Sequence, residues 1–233
     1  MDYALKLGEI LLLNILLSGD NAVVIGLAAR GLSEKHRRRA IIAGGLGAVG
    51  LRIIFTFIIT ILLDIPFIHL VGGILLLYIS WSLLKPEGPE QESDVNTSGL
   101  WPAIWTIIAA DAVMSLDNVV AITAAADGDF ILLMIGLAMS IPIVMFGSDI
   151  LANLLNRFPI LIYLGVFILI VTAIEIGAAE EFILDWHPLE TWETAVLVAI
   201  ASVVIFGLGW WGQRRAKAQG KTVPRDQMEP GRS

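Results

Sequence analysis

The chain has 233 residues, of which 57% are hydrophobic and only 16% charged, with a mean hydropathy of +0.80. A soluble fold of this length cannot bury so much apolar surface, so the composition predicts an integral membrane protein. The absence of cysteine excludes disulfides and thiolate metal ligands, and the net charge of -7 argues against nucleic acid as a partner.

Seven segments, taken in chain order, are apolar and long enough to cross about 30 Å of hydrocarbon. They are residues 5–29, 38–62, 67–84, 101–126, 130–152, 159–183 and 191–212. The residues that follow are polar, and we expect 213–233 to be a disordered tail. The prediction is an all-α membrane protein with one transmembrane transport domain, residues 1–212, in contact with the lipid bilayer.

The basic residues predict how these spans are oriented. Of the 15 Lys and Arg residues, 13 fall in the first, third and fifth loops or in the tail. Lys and Arg accumulate on the cytoplasmic side of a membrane. We therefore expect a multi-pass protein of the cell (inner) membrane with its N-terminus outside and its C-terminus cytoplasmic, which requires an odd number of spans.

An internal repeat divides the spans into two halves. With a shift of 97 residues, 18–31 aligns with 115–128 without a gap, and eight of the fourteen positions are identical. The predicted repeat units are 5–84 and 101–183, with 191–212 as an extra helix. Because each unit has three spans, the second unit runs in the opposite direction. Two inverted three-helix repeats are an arrangement found in many secondary transporters.

Each repeat carries a Ser-x-Asp-Asn motif inside a hydrophobic span, with the acids at Asp20 and Asp117 followed by Asn21 and Asn118. A charged residue at the bilayer centre costs roughly 2.5–3.5 kcal/mol on insertion scales, so such residues face a cavity rather than lipid. The oppositely directed spans place the two acids on either side of the midplane. The alternative is a structural polar clamp between the two helices.

Further oxygen donors lie at helical spacing from these motifs. They are Asn14 and Ser18 in the first span and Asp111 and Ser115 in the fourth. A set of carboxylates, amides and hydroxyls favours a hard divalent cation such as Mg2+, Ca2+ or Mn2+. Gly19 permits an unwound turn that would bring these donors together, whereas Leu116 at the matching position is less permissive.

Three other charged residues are candidates for a coupling or counter-charge role. Arg52, within the second span, either neutralises the empty acidic site, forms a simple ion pair or extends to an interface. Asp149 and Glu175 either line an access path or relay protons, or they are ordinary ion pairs or solvated helix ends.

The two Ser-x-Asp-Asn helices, the three-plus-three-plus-one layout and the Gly-Ser-Asp run at 147–149 resemble the TerC family of integral membrane proteins. The resemblance covers about residues 1–212 and is greatest to the short, bacterial YjbE-type members. It implies manganese homeostasis, chiefly Mn2+ export, with Asp20 and Asp117 as the ion-site acids. Mn2+ is then the transported ion, and no prosthetic group is expected.

Other functions stay open at this point. The ion is alternatively Ca2+ or another cation exchanged for protons, or the chain is a non-transporting scaffold that supplies metal to other proteins. An enzyme is not expected, because an intramembrane aspartyl protease would carry a G-x-G-D motif and Leu17-Ser18-Gly19-Asp20 lacks the first glycine. No nucleotide-binding motif is present, so direct drive by ATP is not expected. The expected energy source is the proton gradient or the membrane potential, with Mn2+/H+ antiport as one candidate mode.

Overall fold

The computed structural model describes residues 6–8, 10–12, 18–63, 65–84, 99–125, 129–186 and 188–218. Residues 6–8 and 10–12 are helical. The later helices are α1 (Gly19–Ala29), α2 (Glu34–Leu63), α3 (Ile68–Leu84), α4 (Leu100–Ala125), α5 (Phe130–Arg157), α6 (Ile160–Ala178), α7 (Glu181–Trp186) and α8 (Thr191–Ala218). No strand occurs within these ranges, which confirms the predicted all-α class.

Several helices have the length and composition of membrane spans. Among the described residues, Glu34–Ile58, Ile160–Ala178 and Thr191–Arg215 are each long and apolar enough to cross a bilayer. The shorter apolar helical segments are Gly19–Ala29, Ile68–Leu84 and Leu100–Leu116. The structure is therefore that of a helical membrane protein.

Several helix ends differ from the predicted ones, since α2 begins at Glu34 rather than 38 and α5 continues to Arg157 rather than 152. The predicted sixth span, 159–183, ends at Ala178 and is followed by a turn and the short helix α7. The last helix continues past Gly212 to Ala218, so the start of the predicted disordered tail is helical.

The continuation of α8 has a local cause. Arg214 and Arg215 stack on Trp210 and Trp211, four residues earlier, with guanidinium carbons 3.7 and 3.6 Å from the ring centroids. Side chains four residues apart are neighbours on a helix, and a cation over an aromatic face stabilises both. These two contacts stabilise the final turns of the helix.

The helices pack in a pattern that changes little when the two halves are exchanged. The helix α1 packs against α4, α5 and α6, and α4 packs in turn against α1, α2 and α3. The helices α2 and α5 contact each other, as do α3 and α6. Exchanging α1 with α4, α2 with α5 and α3 with α6 maps each of these pairs onto another of them. The remaining long helix, α8, lies against both α3 and α6.

Glycines allow two of these helix pairs to approach closely. Between α3 and α6, a Cβ added to Gly73 would lie 2.5 Å from the carbonyl oxygen of Ala173 and 3.1 Å from the Cα of Gly177. Between α2 and α4, a Cβ on Gly44 would lie 2.9 Å from the Cγ2 of Ile107. Small residues at helix crossings are typical of packing within a membrane, where close backbone contact replaces the hydrophobic effect.

A buried carboxylate holds the first turn of α3. Glu180, in the link between α6 and α7, is 5% exposed and accepts backbone N–H groups from Phe67 at 2.8 Å, His69 at 3.1 Å and Leu70 at 3.3 Å. The first amides of a helix have no intrahelical partner, and a negative charge is favoured there. Phe67 has a φ of 64°, which is unfavourable for a bulky side chain, and the bond to Glu180 holds it in place.

Candidate metal-ion site

The first Ser-x-Asp-Asn motif lies at the beginning of a helix. The helix α1 starts at Gly19, and Ser18 before it has φ -104° and ψ 6°. The start of a helix in the middle of the predicted first span is compatible with the unwound turn expected at Gly19. Asn14 was predicted to be a ligand and lies outside the described residues.

Asp20 lies in the first turn of α1 and is half-buried. Its carboxylate accepts the backbone N–H of Asn21 at 2.8 Å. It is close enough to Asp111 on α4 and Arg52 on α2 for their charges to act on it. One carboxylate of the predicted site therefore lies at the start of α1.

The second motif lies within a continuous helix, because α4 runs from Leu100 to Ala125 without a break at Leu116. Ser115 is fully buried and Asn118 is 8% exposed. The backbone of Asp117 is helical, and its side chain lies outside what the structure describes. The two motifs thus have the same sequence pattern in two different backbone settings.

Arg52 joins α2 to α4 through a buried network. Its Nη2 donates to Oδ1 of Asp111 at 2.8 Å, and its Nε donates to the hydroxyl of Ser115 at 3.0 Å. That hydroxyl donates in turn to Oδ2 of Asp111 at 3.0 Å. The side chains of Arg52 and Asp111 are 8% and 10% exposed. Arg52 thus forms a buried ion pair, and its partner is a carboxylate of the predicted site.

A cavity of about 40 Å³ lies beside this network. The residues that line it come from α2, from the start of α1, and from α4 and α5. The polar ones are Ser18, Asn21, Arg52 and Asp111, and the others are Ile25, Gly45, Ala48, Val49, Val144 and Met145. Since one water occupies roughly 10–15 Å³ of such volume, the cavity has room for an ion with two or three waters and not for an organic substrate.

Asn21 has a polar side chain that the surrounding protein leaves unsatisfied. The residue is 2% exposed, and within the described part of the chain neither its amide nitrogen nor its amide oxygen has a hydrogen-bond partner. A buried polar group without a partner costs about 1–3 kcal/mol. Such a group at the wall of a small cavity points to a ligand or water that completes it.

The described residues do not form a complete metal cage. No group of three His, Cys, Asp or Glu side chains within metal-binding distance occurs among them. The donors around the cavity are the Asp111 carboxylate, the Asn21 amide and the Ser18 hydroxyl, with Asp20 nearby. An ion held here would keep part of its water shell, as hard divalent cations in transport sites do.

The other two candidates lie away from the cavity. The carboxylate of Asp149 on α5 accepts the Nε of Arg37 on α2 at 3.0 Å, and the two side chains are 37% and 11% exposed. Glu175 is exposed near the end of α6 and does not line the cavity. Glu180, which the sequence analysis did not single out, is the buried acid of this region.

The fold and the site together define a helical integral membrane protein with a small cavity lined by charged and polar side chains between α1, α2, α4 and α5. The chain belongs to the TerC family of integral membrane proteins. The family described as "Integral membrane protein TerC family" matches residues 1–217. The resemblance seen in the twin motifs is therefore confirmed at the level of the family.

Three Bacillus subtilis (strain 168) proteins are similar to this chain. The "Uncharacterized membrane protein YjbE" is 44% identical over 164 residues, which cover 70% of this chain and 75% of that protein. The "Uncharacterized membrane protein YkoY" is 30% identical over 68% of this chain and 57% of its own length. The "Uncharacterized membrane protein YceF" is 29% identical over 56% of this chain and 54% of its own length. No solved structure matches this chain.

Proposed function

We propose that the protein is a secondary transporter of a divalent metal ion, with its binding site between α1, α2 and α4. The observation that carries the proposal is the cavity of about 40 Å³ lined by Asp111 and by the unsatisfied amide of Asn21. Its volume fits an ion, and its donors are oxygens that hard cations prefer. Charged and polar groups within membrane-spanning helices are costly, and where they face the interior of the bundle they commonly mark an ion path.

The arrangement of helices supports an inverted repeat. The packing pairs are nearly unchanged by exchange of the two halves, and the twin motifs lie on α1 and α4, which contact each other. We propose seven spans, two inverted units of three and α8 as the extra helix. In repeat transporters the substrate site lies at the interface of the two units, and the residues that line this cavity come from helices of both proposed units, which supports the proposal.

Mn2+ is the ion we propose, for export from the cell. The described donors are few, which suits an ion with about six short bonds better than Ca2+, which takes six to eight longer ones. Mg2+ loses its water reluctantly. The resemblance to the TerC family, in which manganese homeostasis is the expected role, favours Mn2+ over the other ions. Ca2+ is the runner-up substrate.

We also propose that proton movement drives the metal. Asp111 is paired with Arg52, so Asp20 is the described carboxylate at which a proton and a metal ion compete for the same oxygens. A proton bound to the empty site would leave when the metal arrives. Metal affinity should therefore fall as the pH falls.

Metal-dependent flux in proteoliposomes tests the function. We expect uptake of Mn2+ ahead of Ca2+, Mg2+ and Zn2+, with opposite movement of protons reported by an enclosed pH dye. Asp20→Asn, Asp111→Asn and Asp117→Asn should each lower the Mn2+ rate at least tenfold, a transition-state cost of about 1.4 kcal/mol. The matched control is Glu175→Gln, which removes an exposed carboxylate outside the cavity and should leave the rate unchanged.

The same vesicles separate the alternatives. Mn2+ uptake without proton movement, at a clamped membrane potential, would contradict the antiport mechanism but would leave the proposed metal site unaffected. Binding of Mn2+ by the purified protein without any flux would favour the scaffold that supplies metal to other proteins. Loss of membrane insertion in the Asp20 and Asp117 variants, rather than loss of flux, would favour the structural clamp.

A further inference from the structure

A cation of the protein itself lies in the proposed cation site. The guanidinium of Arg52 is 2.8 Å from Oδ1 of Asp111, and both residues line the cavity. The proposed site therefore already contains a positive charge, which is the sign of the ion that we propose it binds.

The guanidinium and a metal ion compete for one carboxylate. Asp111 has Oδ1 in contact with Arg52 Nη2 and Oδ2 in contact with the Ser115 hydroxyl. A metal ion that binds Asp111 would lie within a few ångströms of the guanidinium, in a region of low dielectric where two positive charges repel strongly. Arg52 has to withdraw from the carboxylate before the ion can take its place.

The surroundings of Arg52 leave space for such a withdrawal. The Nε and Nη2 atoms belong to one planar guanidinium, so the contacts with Ser115 and Asp111 are released together. The cavity wall on the same face of α2 is formed by small residues, Gly45, Ala48 and Val49. The guanidinium can therefore turn towards this wall when an ion takes its place at Asp111.

We propose that Arg52 is a tethered competitor that sets the charge selectivity of the ion site, an inference that rests on the proposed function. A tethered group acts at a high effective concentration, which a free ion must overcome. Na+ and K+ carry the same charge as the guanidinium and cannot displace it. A divalent ion gains twice the attraction to the carboxylate and adds the free oxygen of Asn21 as a ligand.

The test measures Mn2+ binding to the purified full chain in detergent by isothermal titration calorimetry, with and without high Na+ or K+. In the wild type, Na+ or K+ should lower Mn2+ affinity no more than a bulky organic cation does at the same ionic strength. The organic cation serves as the control because it is too large for the site. Arg52→Met should bind Mn2+ at least tenfold more tightly than the wild type, a difference of about 1.4 kcal/mol. Most of this gain should be lost when Na+ or K+ is present. In vesicles, the same variant should have a lower KM and a lower kcat than the wild type, because a tightly held ion is released slowly.

Two further variants make the result decisive. Arg157→Met removes an exposed arginine at the end of α5 and should bind like the wild type with and without Na+. Arg52→Lys keeps the charge but loses the planar two-point contact with Asp111 and Ser115, so it should bind Mn2+ with an affinity between those of the wild type and Arg52→Met. If Arg52→Met does not fold, the Mn2+ affinity of Arg52→Lys relative to the wild type decides, and tighter binding by Arg52→Lys is the expected result.

The failure of this inference differs from the failure of the function. If Arg52→Met and Arg52→Lys bind Mn2+ no tighter than the wild type, while Asp111→Asn still abolishes binding, Arg52 is a structural partner and the site stands. If the wild type binds no Mn2+, or if Asp111→Asn binds as the wild type does, the proposed metal site itself is wrong.

Discussion

At Asn21, one substitution is expected to have opposite effects on stability and on function. Its amide is buried without a partner among the described residues, so it costs folding energy that an apolar side chain of similar size would not. We expect Asn21→Leu to raise the free energy of unfolding by about 1 kcal/mol and to lower Mn2+ uptake at least tenfold. Thermal unfolding in detergent and proteoliposome flux measure the two effects.

Ser80 supplies the matched control for this prediction. Its hydroxyl on α3 is also fully buried without a partner in the described structure, but it does not line the cavity. Ser80→Ala should therefore also raise the free energy of unfolding, because it removes a buried hydroxyl without a partner, but it should leave uptake unchanged. A lower stability of Asn21→Leu together with its lower uptake would contradict the reading of Asn21 as an ion ligand.

The residues of the site were predictable from the sequence to different degrees. The repeat pointed to the polar faces of two spans, and Asp111 and Asn21 are on those faces and line one cavity. The partner of Arg52 was not predictable, because Arg52 and Asp111 are 59 residues apart and only the packing of α2 on α4 brings them together. The pair of Asp149 with Arg37 was not predictable either, because these residues are 112 positions apart and meet only through the packing of α2 on α5.

At the scale of helices, the pair of Arg37 and Asp149 links α2 to α5, and both helices line the cavity. If transport requires α2 and α5 to separate, a covalent link between these positions should stop it. The chain has no cysteine, so Arg37→Cys with Asp149→Cys introduces the only two thiols. We expect a bifunctional thiol reagent to block Mn2+ flux in this double variant and not in either single one.

Continued flux in the cross-linked double variant would show that α2 and α5 move together. The pair itself contributes little to stability, because it is partly exposed and such ion pairs are worth about 0–1 kcal/mol. The uncross-linked double variant should therefore fold and insert normally, and membrane yield checks this.

The crossing of α3 and α6 gives a prediction about packing. A Cβ at Gly73 would meet the backbone of Ala173, which cannot move without the whole helix. We expect Gly73→Ala to lower the free energy of unfolding by about 1–3 kcal/mol, the usual cost of overpacking. Gly50→Ala is the control, because a Cβ there meets nothing within 4 Å and alanine favours a helix. Equal melting temperatures for the two variants would contradict the close crossing.

Helix type was easier to predict than helix ends. Long, largely apolar runs predicted α2, α3 and α6 as helices. The end of α6 at Ala178 was not predictable, because Glu180 follows an apolar segment and its partners, the amides of Phe67, His69 and Leu70, lie in the other half of the chain. A carboxylate that caps another helix has no local sequence signal.

For the whole molecule, the distribution of Lys and Arg predicts the topology. A reporter that is active only in the cytoplasm, fused after Ser233, should be active, and one that is active only outside the membrane should not. The converse result would give an even number of spans and would contradict the inverted repeat. Fusions within the loop 85–98 should behave like the fusion after Ser233, because the same count places that loop in the cytoplasm.

The attachment of α3 to α6 has a consequence for the motion that the proposed transport would need. Glu180 holds the first turn of α3, and the Gly73–Ala173 contact joins the helices one turn further on. Because α3 and α6 are attached at two levels and both contact α8, we expect them to move together. The opening motion would then come from α1, α2, α4 and α5. Spin labels on α3 and α6 should keep one distance with and without Mn2+, while a pair on α2 and α5 should report two.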